Sequence, residues 1–301
     1  MNEPRDHHYV PQFYLRSFAV DPERLKVATV AKNGEMAVWA LRSIEGIGFE
    51  RDLYVHMQRG TPVSVETTIN ADIETPLSKS DTWQKIIQGR EDALDASDKP
   101  YLYALIRHLN VRTPHALTTT MELAAMAADP NSTMEFADEE RAFYASLHNN
   151  PQKAQALFNA QASSLRWAER DYRHARMTIY RSPIRLRTAT TPVMSLKVPE
   201  HKSLILPLPG MTPYQQVLPL SPTAVLTLVQ ADFEDEFRNQ DIPFEVATYF
   251  NQSRAGLFAH FDTIRHMVTD REGLVDTMTW APYDLVKDTP TKIVFRRRQT
   301  D

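Results

Sequence analysis

Asp6-His7-His8-Tyr9-Val10-Pro11-Gln12-Phe13-Tyr14-Leu15-Arg16-Ser17-Phe18 is the densest stretch of the chain. Val10 precedes a proline, a position that disfavours helical backbone, so the residues before Pro11 read as extended. Pro11 suits the first position of a helix, where its missing N–H leaves no bond unmade. A short helix is expected from Pro11 to about Phe18, with Tyr14 and Phe18 on one face and Leu15 beside them. In the extended lead-in His7 and His8 point to opposite sides, so only one easily faces a given pocket. Two roles suit the segment. A histidine on a rigid, proline-anchored turn can serve as a metal ligand or a general base. Alternatively the helix plugs the core with its aromatics and the histidines are satisfied locally, because a histidine pair lacks the spaced third ligand of a metal site.

Outward from this stretch, Leu25–Lys32 and Glu35–Leu41 flank Asn33-Gly34, a strong short hairpin signal because both turn positions tolerate positive φ. Gly46-Ile47-Gly48-Phe49 reads as a loop and residues 50–55 as a short extended piece. Val65, Ile69 and Ile73 then recur at helical spacing, with Glu66, Asn70 and Glu74 one step around. Pro76 is expected to kink or end that helix. The two glutamates either face a shared pocket, where they could hold a hard cation or do acid–base work, or form a solvated helix face.

A helix opening at Pro100 buries Leu102, Leu105, Ile106 and Leu109, and Arg112 continues that stripe. An inward guanidinium needs a carboxylate, a carbonyl or a bound anion. Glu66 and Glu74 are the candidate partners, a substrate phosphate is another, and His108 lies one turn away. The competing reading is an arginine snorkelling at a helix C-terminus. More helices are expected over residues 115–128, 137–147 and 151–168. From Met177 the texture becomes β-rich and proline-punctuated, with short strands at residues 177–180, 193–196, 204–206 and 225–228 and a turn at residues 219–222. Asp241 with Pro243 opens a long helix that carries Asn251 and a second inward arginine, Arg254, and residues 292–295 read as a last strand. The fold class is α+β in a single domain over residues 1–301: an N-terminal helix and β-hairpin, a helical middle, a Pro-rich mixed or antiparallel β layer, and a long C-terminal helix packed on it.

The run from His7 to Phe18 resembles the opening signature of the DUF4238 family, a widespread microbial family with no settled function. Further fragments agree in order: Val65-Glu66 with Ile73-Glu74, Arg112-Thr113-Pro114, Thr191-Pro192-Val193, and Leu218-Pro219-Leu220-Ser221-Pro222. An Asn251-containing helix follows, so the resemblance spans roughly residues 7–265. One departure stands out. The family usually shows a Ser-Asp-Asn-Pro-like run where this chain has Ala189-Thr190-Thr191-Pro192. If that acid is catalytic in relatives, this chain lacks it.

Composition narrows the function classes. With no cysteine, disulfides, thiolate metal sites and cysteine nucleophiles are excluded. A net charge of −4 argues against a protein coated in nucleic acid, while leaving room for a local basic groove. Arg296-Arg297-Arg298 reads as a solvated tail. The polar start carries no apolar signal segment and no apolar run is long enough for a bilayer, so a soluble cytoplasmic protein is expected. Ser221 lacks the Gly-x-Ser-x-Gly elbow of a serine nucleophile.

Two functions remain. One is a metal-dependent phosphodiester hydrolase or nuclease acting on nucleic acid or a phosphorylated small molecule. In it His8, Glu66 and Glu74 hold a divalent metal, His7 or His8 activates water, and Arg112, Arg254 and Asn251 bind and neutralise phosphate. The His-His-hydrophobic-Pro opening loosely resembles that of His-Asn-His nucleases, without a downstream Asn–His pair at their spacing. The other is a non-catalytic binding or regulatory protein, or a small-anion or nucleotide sensor, whose His/Glu/Arg cluster fixes the fold.

Overall fold

The computed structural model describes residues 5–21, 23–164, 172, 175–197, 214–230 and 236–298. The chain starts with β1 (Asp6–His8) and α1 (Gln12–Leu15), extended by a 3-10 turn over Arg16–Phe18. The hairpin β2 (Lys26–Asn33) and β3 (Met36–Ser43) follows, then β4 (Phe49–Arg51), β5 (Val55–Gln58) and β6 (Thr61–Ser64). The helical middle comprises α2 (Glu66–Ile69), α3 (Thr75–Lys79), α4 (Asp81–Ile87), α5 (Lys99–Val111), α6 (Pro114–Ala128), α7 (Asp138–His148) and α8 (Pro151–Ala162). The β-rich part has β7 (Ala175–Arg181), β8 (Thr188–Ala189), β9 (Met194–Lys197), β10 (Tyr214–Ser221), β11 (Ala224–Gln230) and β12 (Glu236–Asp241). Then come α9 (Phe244–His260), β13 (His266–Val268), α10 (Leu274–Trp280), β14 (Tyr283–Thr289) and β15 (Lys292–Arg297). The expected strand at residues 204–206 and the expected helix end at residues 165–168 lie outside the described residues.

Among the described residues two larger sheets form, in the orders β12-β7-β11-β10-β9 and β14-β15-β3-β2-β13-β8. Among the described strands only β12 with β7 is parallel. Both sheets turn one face to a common core. Ile179, Leu218 and Leu226 from the first and Val27 and Val268 from the second meet Tyr14, Phe18, Ile69, Leu102 and Leu105. The N-terminal helix is therefore the plug its aromatics predict. Tyr14 is fully buried, and its hydroxyl meets the Thr188 hydroxyl and the Pro219 carbonyl at 2.7 Å each, joining the two sheets. The opposite face of each sheet packs on α9, through Tyr180 and Val225 with Ala247 and Phe250, and through Val30 and Phe295 with Phe258.

Five expectations are corrected. The hairpin loop falls one residue later than Asn33-Gly34: Asn33 pairs with Met36, leaving Gly34-Glu35 as the loop, with Gly34 at φ +59° in its first position. A Gly-X pair with a left-handed first residue is a natural two-residue hairpin turn. Pro76 does not end its helix. Asn70–Glu74 forms a π turn, and α3 runs on past the proline to Lys79. A π turn reaches one residue further for its bonds, which accommodates a residue that has no N–H and crowds the carbonyl four back. The helix opened by Pro243 is present, but it does not close the chain: α10 and the β14–β15 hairpin come after it. β14 gave little sequence signal because only Tyr283 in it is buried. Finally, Arg296 and Arg297 belong to β15, which lies between β14 and β3, and Arg298 donates to the Ala281 carbonyl, so the exposed basic cluster is part of the sheet and not a loose tail. Pro219-Leu220-Ser221 likewise lies in β10, and the turn is Pro222-Thr223.

The strand carrying the histidines is pinned at its exit. The Gly48 carbonyl accepts the backbone N–H groups of Tyr9 (2.8 Å) and Val10 (3.0 Å). Gly48 sits at φ +68°, and a Cβ there would lie 2.8 Å from the Val10 Cβ. Left-handed strain and an overpacked contact add, so Gly48→Ala is expected to lower unfolding stability by about 2–4 kcal/mol, read by urea denaturation.

Candidate functional site

β1 pairs with β4 so that His8 stands opposite Phe49. The two histidines diverge, as an extended backbone requires. His7 goes into the core: its ring stacks on Tyr54 with centroids 5.6 Å apart, and its Nδ1 accepts the Tyr54 backbone N–H at 2.9 Å. His8 goes the other way, half-buried beside Phe49. Burial pushes its pKa down, opposed by a hydrogen bond to the Glu45 backbone. Its Nε2 is buried with no hydrogen-bond partner.

Arg112 ends α5 with no exposed surface. Its Nη1 forms an ion pair with Glu74 and also meets His108 Nε2, its Nη2 donates to the His8 carbonyl, and its Nε donates to the Tyr54 hydroxyl at 3.0 Å. The Tyr54 hydroxyl in turn donates to the Arg112 carbonyl at 2.8 Å. Burial holds the His108 pKa well below its ordinary value, so its ring is neutral and Nε2 accepts from the guanidinium. The arginine is thus an inward strut, and not one that snorkels to water. Of the two expected partners it takes Glu74. The π turn matters here, because it sets the angle at which Glu74 follows Glu66 around the helix.

Glu66, at the start of α2, is 8 % exposed. Burial raises its carboxyl pKa to about 7, opposed by the Arg112 charge and reinforced by Glu74, while Asn70 and the His8 backbone hydrogen-bond to it. Its Oε2 is buried without a hydrogen-bond partner. His8, Glu66, Glu74, Arg112 and His108 therefore come together, with Tyr54 added. Tyr54 was not singled out in the sequence, although a large buried tyrosine signals that its hydroxyl has a partner. The three metal-ligand candidates surround the guanidinium. Among the described residues no group of three or more His, Asp or Glu side chains is disposed to hold a metal ion.

Arg254 and Asn251 do not join them. Arg254 is fully buried on α9 and donates to the carbonyls of Thr191 and Pro192, both at 2.5 Å. Burial pushes its pKa down to about 10. Its helix packs on β8 and β13, beyond Tyr14, while α5 packs on α6 and α8. Sequence periodicity gives the inward face of each helix but not which wall it meets. Asn251 pins the segment before β8: its Oδ1 accepts the Arg187 N–H and its Nδ2 donates to the Arg185 carbonyl, both at 2.9 Å.

The fold and this cluster define an α+β protein with a buried arginine–carboxylate–histidine network at the mouth of its N-terminal strand. The chain belongs to the family described as "Protein of unknown function (DUF4238)", which matches residues 6–268. No curated protein and no solved structure matches it. Among the described residues no helix is long and apolar enough to cross a membrane.

The raised Glu66 pKa ties stability to pH. Below its ordinary value of 4.5 folded and unfolded chains both hold the proton, and the carboxyl carries no penalty. As pH rises through about 7 the folded chain must carry a buried carboxylate, and stability is lost. Glu66→Gln cannot ionise. Relative to that variant, wild type is expected to lose on the order of 2–3 kcal/mol between about pH 5 and pH 8, measured by urea denaturation at both.

Proposed function

We propose that this protein is a phosphodiester hydrolase whose reacting pair is His8 and Glu66. The observation that carries the reading is that His8 Nε2 and Glu66 Oε2 are both buried without partners in one cluster. Buried polar atoms are normally satisfied, and those left open are candidates for a substrate or water. The pair is also displaced in opposite senses: burial lowers the His8 pKa, favouring the neutral ring, and raises that of Glu66 to about 7, so that a substantial share of it keeps its proton at neutral pH. A neutral imidazole and a protonated carboxyl are the base and acid that hydrolysis requires. In this reading His8 Nε2 takes a proton from water as the water attacks phosphorus. Glu66 gives its proton to the departing oxygen. Arg112 touches no substrate and acts as a positioning residue, holding the His8 carbonyl and Glu74.

A divalent cation would fit this set through two atoms only, His8 Nε2 and Glu66 Oε2, because Glu74 is committed to Arg112. Magnesium is commonly held by few protein ligands, with water and substrate oxygens completing the shell. A second reading, a non-catalytic binding or regulatory protein, is favoured by the commitment of Arg112, whose guanidinium is sealed from solvent with a protein partner on each of its three nitrogens.

Hydrolysis of bis(p-nitrophenyl) phosphate and of single- and double-stranded nucleic acid, with and without Mg²⁺ or Mn²⁺, separates the two. The hydrolase reading expects turnover by wild type and a loss of about 10²-fold or more in His8→Ala and Glu66→Gln, with the circular dichroism spectrum intact. Absence of wild-type turnover under every condition would leave the binding role in its place.

A further inference from the structure

A second site lies away from His8 and stands independently of the hydrolase reading. A cleft of about 240 Å³ opens between residues 184–187, α9 and the start of α10. Arg187 lines it and is only 5 % exposed. Its Nη2 donates to the Glu272 carbonyl at 2.8 Å, and its Nε is buried with no partner. Burial pushes its pKa down to about 10, against the fields of Asp270, Asp276 and Glu272. Asp270 forms its ion pair with Arg185, and among the described residues no carboxylate forms one with Arg187. Thr248 also lines the cleft, and its hydroxyl is buried without a partner.

A buried guanidinium with an open donor is destabilising until an anion meets it. The other cleft charges narrow what that anion is. Arg185 is spent on Asp270, so Arg187 stands as one positive charge beside two negative ones, Glu272 and Asp276. A multiply charged phosphate would meet two carboxylates at the lip, where both acids are exposed. A molecule with one negative and one positive end satisfies both walls. Phe244, 57 % exposed on the rim, offers an apolar surface left open among the described residues. The cleft is smaller than the 300–1,000 Å³ typical of drug-sized ligands, which suits a metabolite of a few heavy atoms.

We infer that this cleft binds a free α-amino acid with an apolar side chain, its carboxylate on Arg187 Nε and the Thr248 hydroxyl, its ammonium toward Asp276 and Glu272, and its side chain over Phe244. The cleft sits where Asn251 ties α9 to residues 185–187, so occupancy would stiffen the joint between α9 and the strand β8.

Isothermal titration calorimetry on the full chain tests this with L-leucine, L-phenylalanine, leucinamide, 4-methylpentanoate and inorganic phosphate. One of the two amino acids is expected to bind saturably. Leucinamide, which lacks the carboxylate, and 4-methylpentanoate, which lacks the ammonium, should each bind at least about tenfold more weakly. Arg187→Met should weaken the amino acid by about tenfold or more; because the lost charge has no carboxylate partner, its melting temperature should fall by no more than the one lost bond to the Glu272 carbonyl implies. Should that variant fail to fold, the exposed Asp276→Asn serves instead: it weakens the amino acid and leaves 4-methylpentanoate unchanged. Phosphate or 4-methylpentanoate binding as tightly as the amino acid would overturn the inference. So would amino-acid binding unaltered by both substitutions, or no binding by either amino acid at millimolar concentration.

Discussion

The Arg112 guanidinium has no contact with water, and a lone charge in that position would cost several kcal/mol. It is tolerated because three other segments and its own helix bring it partners: Glu74 from the π turn, the Tyr54 hydroxyl from the turn between β4 and β5, the His108 ring one turn back along α5, and the His8 carbonyl from the chain's first strand. Each of these is itself placed by packing. Tyr54 is held between His7 and Phe158, with ring centroids 5.6 Å and 5.8 Å away. The arginine therefore closes the join between β1 and the helical middle. Its geometry is satisfied only when all four segments are home.

His8 and Glu66 inherit their positions from this join. The guanidinium holds the His8 backbone, and the His8 backbone hydrogen-bonds to the Glu66 carboxylate. One charge thus orders a strand and a carboxylate from a later helix without occupying either side chain's last polar atom. That division separates two kinds of polar residue in the cluster. Arg112, Glu74, His108 and Tyr54 are spent on one another, while His8 Nε2 and Glu66 Oε2 are left open. Arg254 repeats the theme with a different outcome. It has carbonyl partners, Thr191 and Pro192, and among the described residues no carboxylate forms an ion pair with it.

Much of this was legible in the sequence because it rests on local rules. Val10-Pro11 gives the change from strand to helix, Gly34 marks the hairpin, and the Leu102–Leu109 stripe turns Arg112 inward. The pairing of Arg112 with one of two glutamates followed from there being few carboxylates on an apolar-flanked helix. What escaped was not local. The π turn at Asn70–Glu74 depends on how the helix meets its neighbours, so Pro76 alone suggested only a kink or an end. Arg254 lies on as apolar a stripe as Arg112, but the partner wall is set by sheet topology, which periodicity does not encode. β14, exposed along nearly its whole length, has no alternation to read. The Glu45 backbone and the His8 carbonyl are main-chain groups, and no side-chain pattern announces them.

The account stands on Arg112 and Glu74 acting as a buried, mutually dependent pair. A double-mutant cycle with Arg112→Met, Glu74→Gln and the double variant, followed by urea denaturation at neutral pH, measures that dependence directly. The account predicts a coupling energy of about 2 kcal/mol or more, with the double variant more stable than the sum of the single losses implies. Additivity within about 0.3–0.5 kcal/mol would mean that the two side chains do not rely on one another, and the strut that positions His8 and Glu66 would be contradicted.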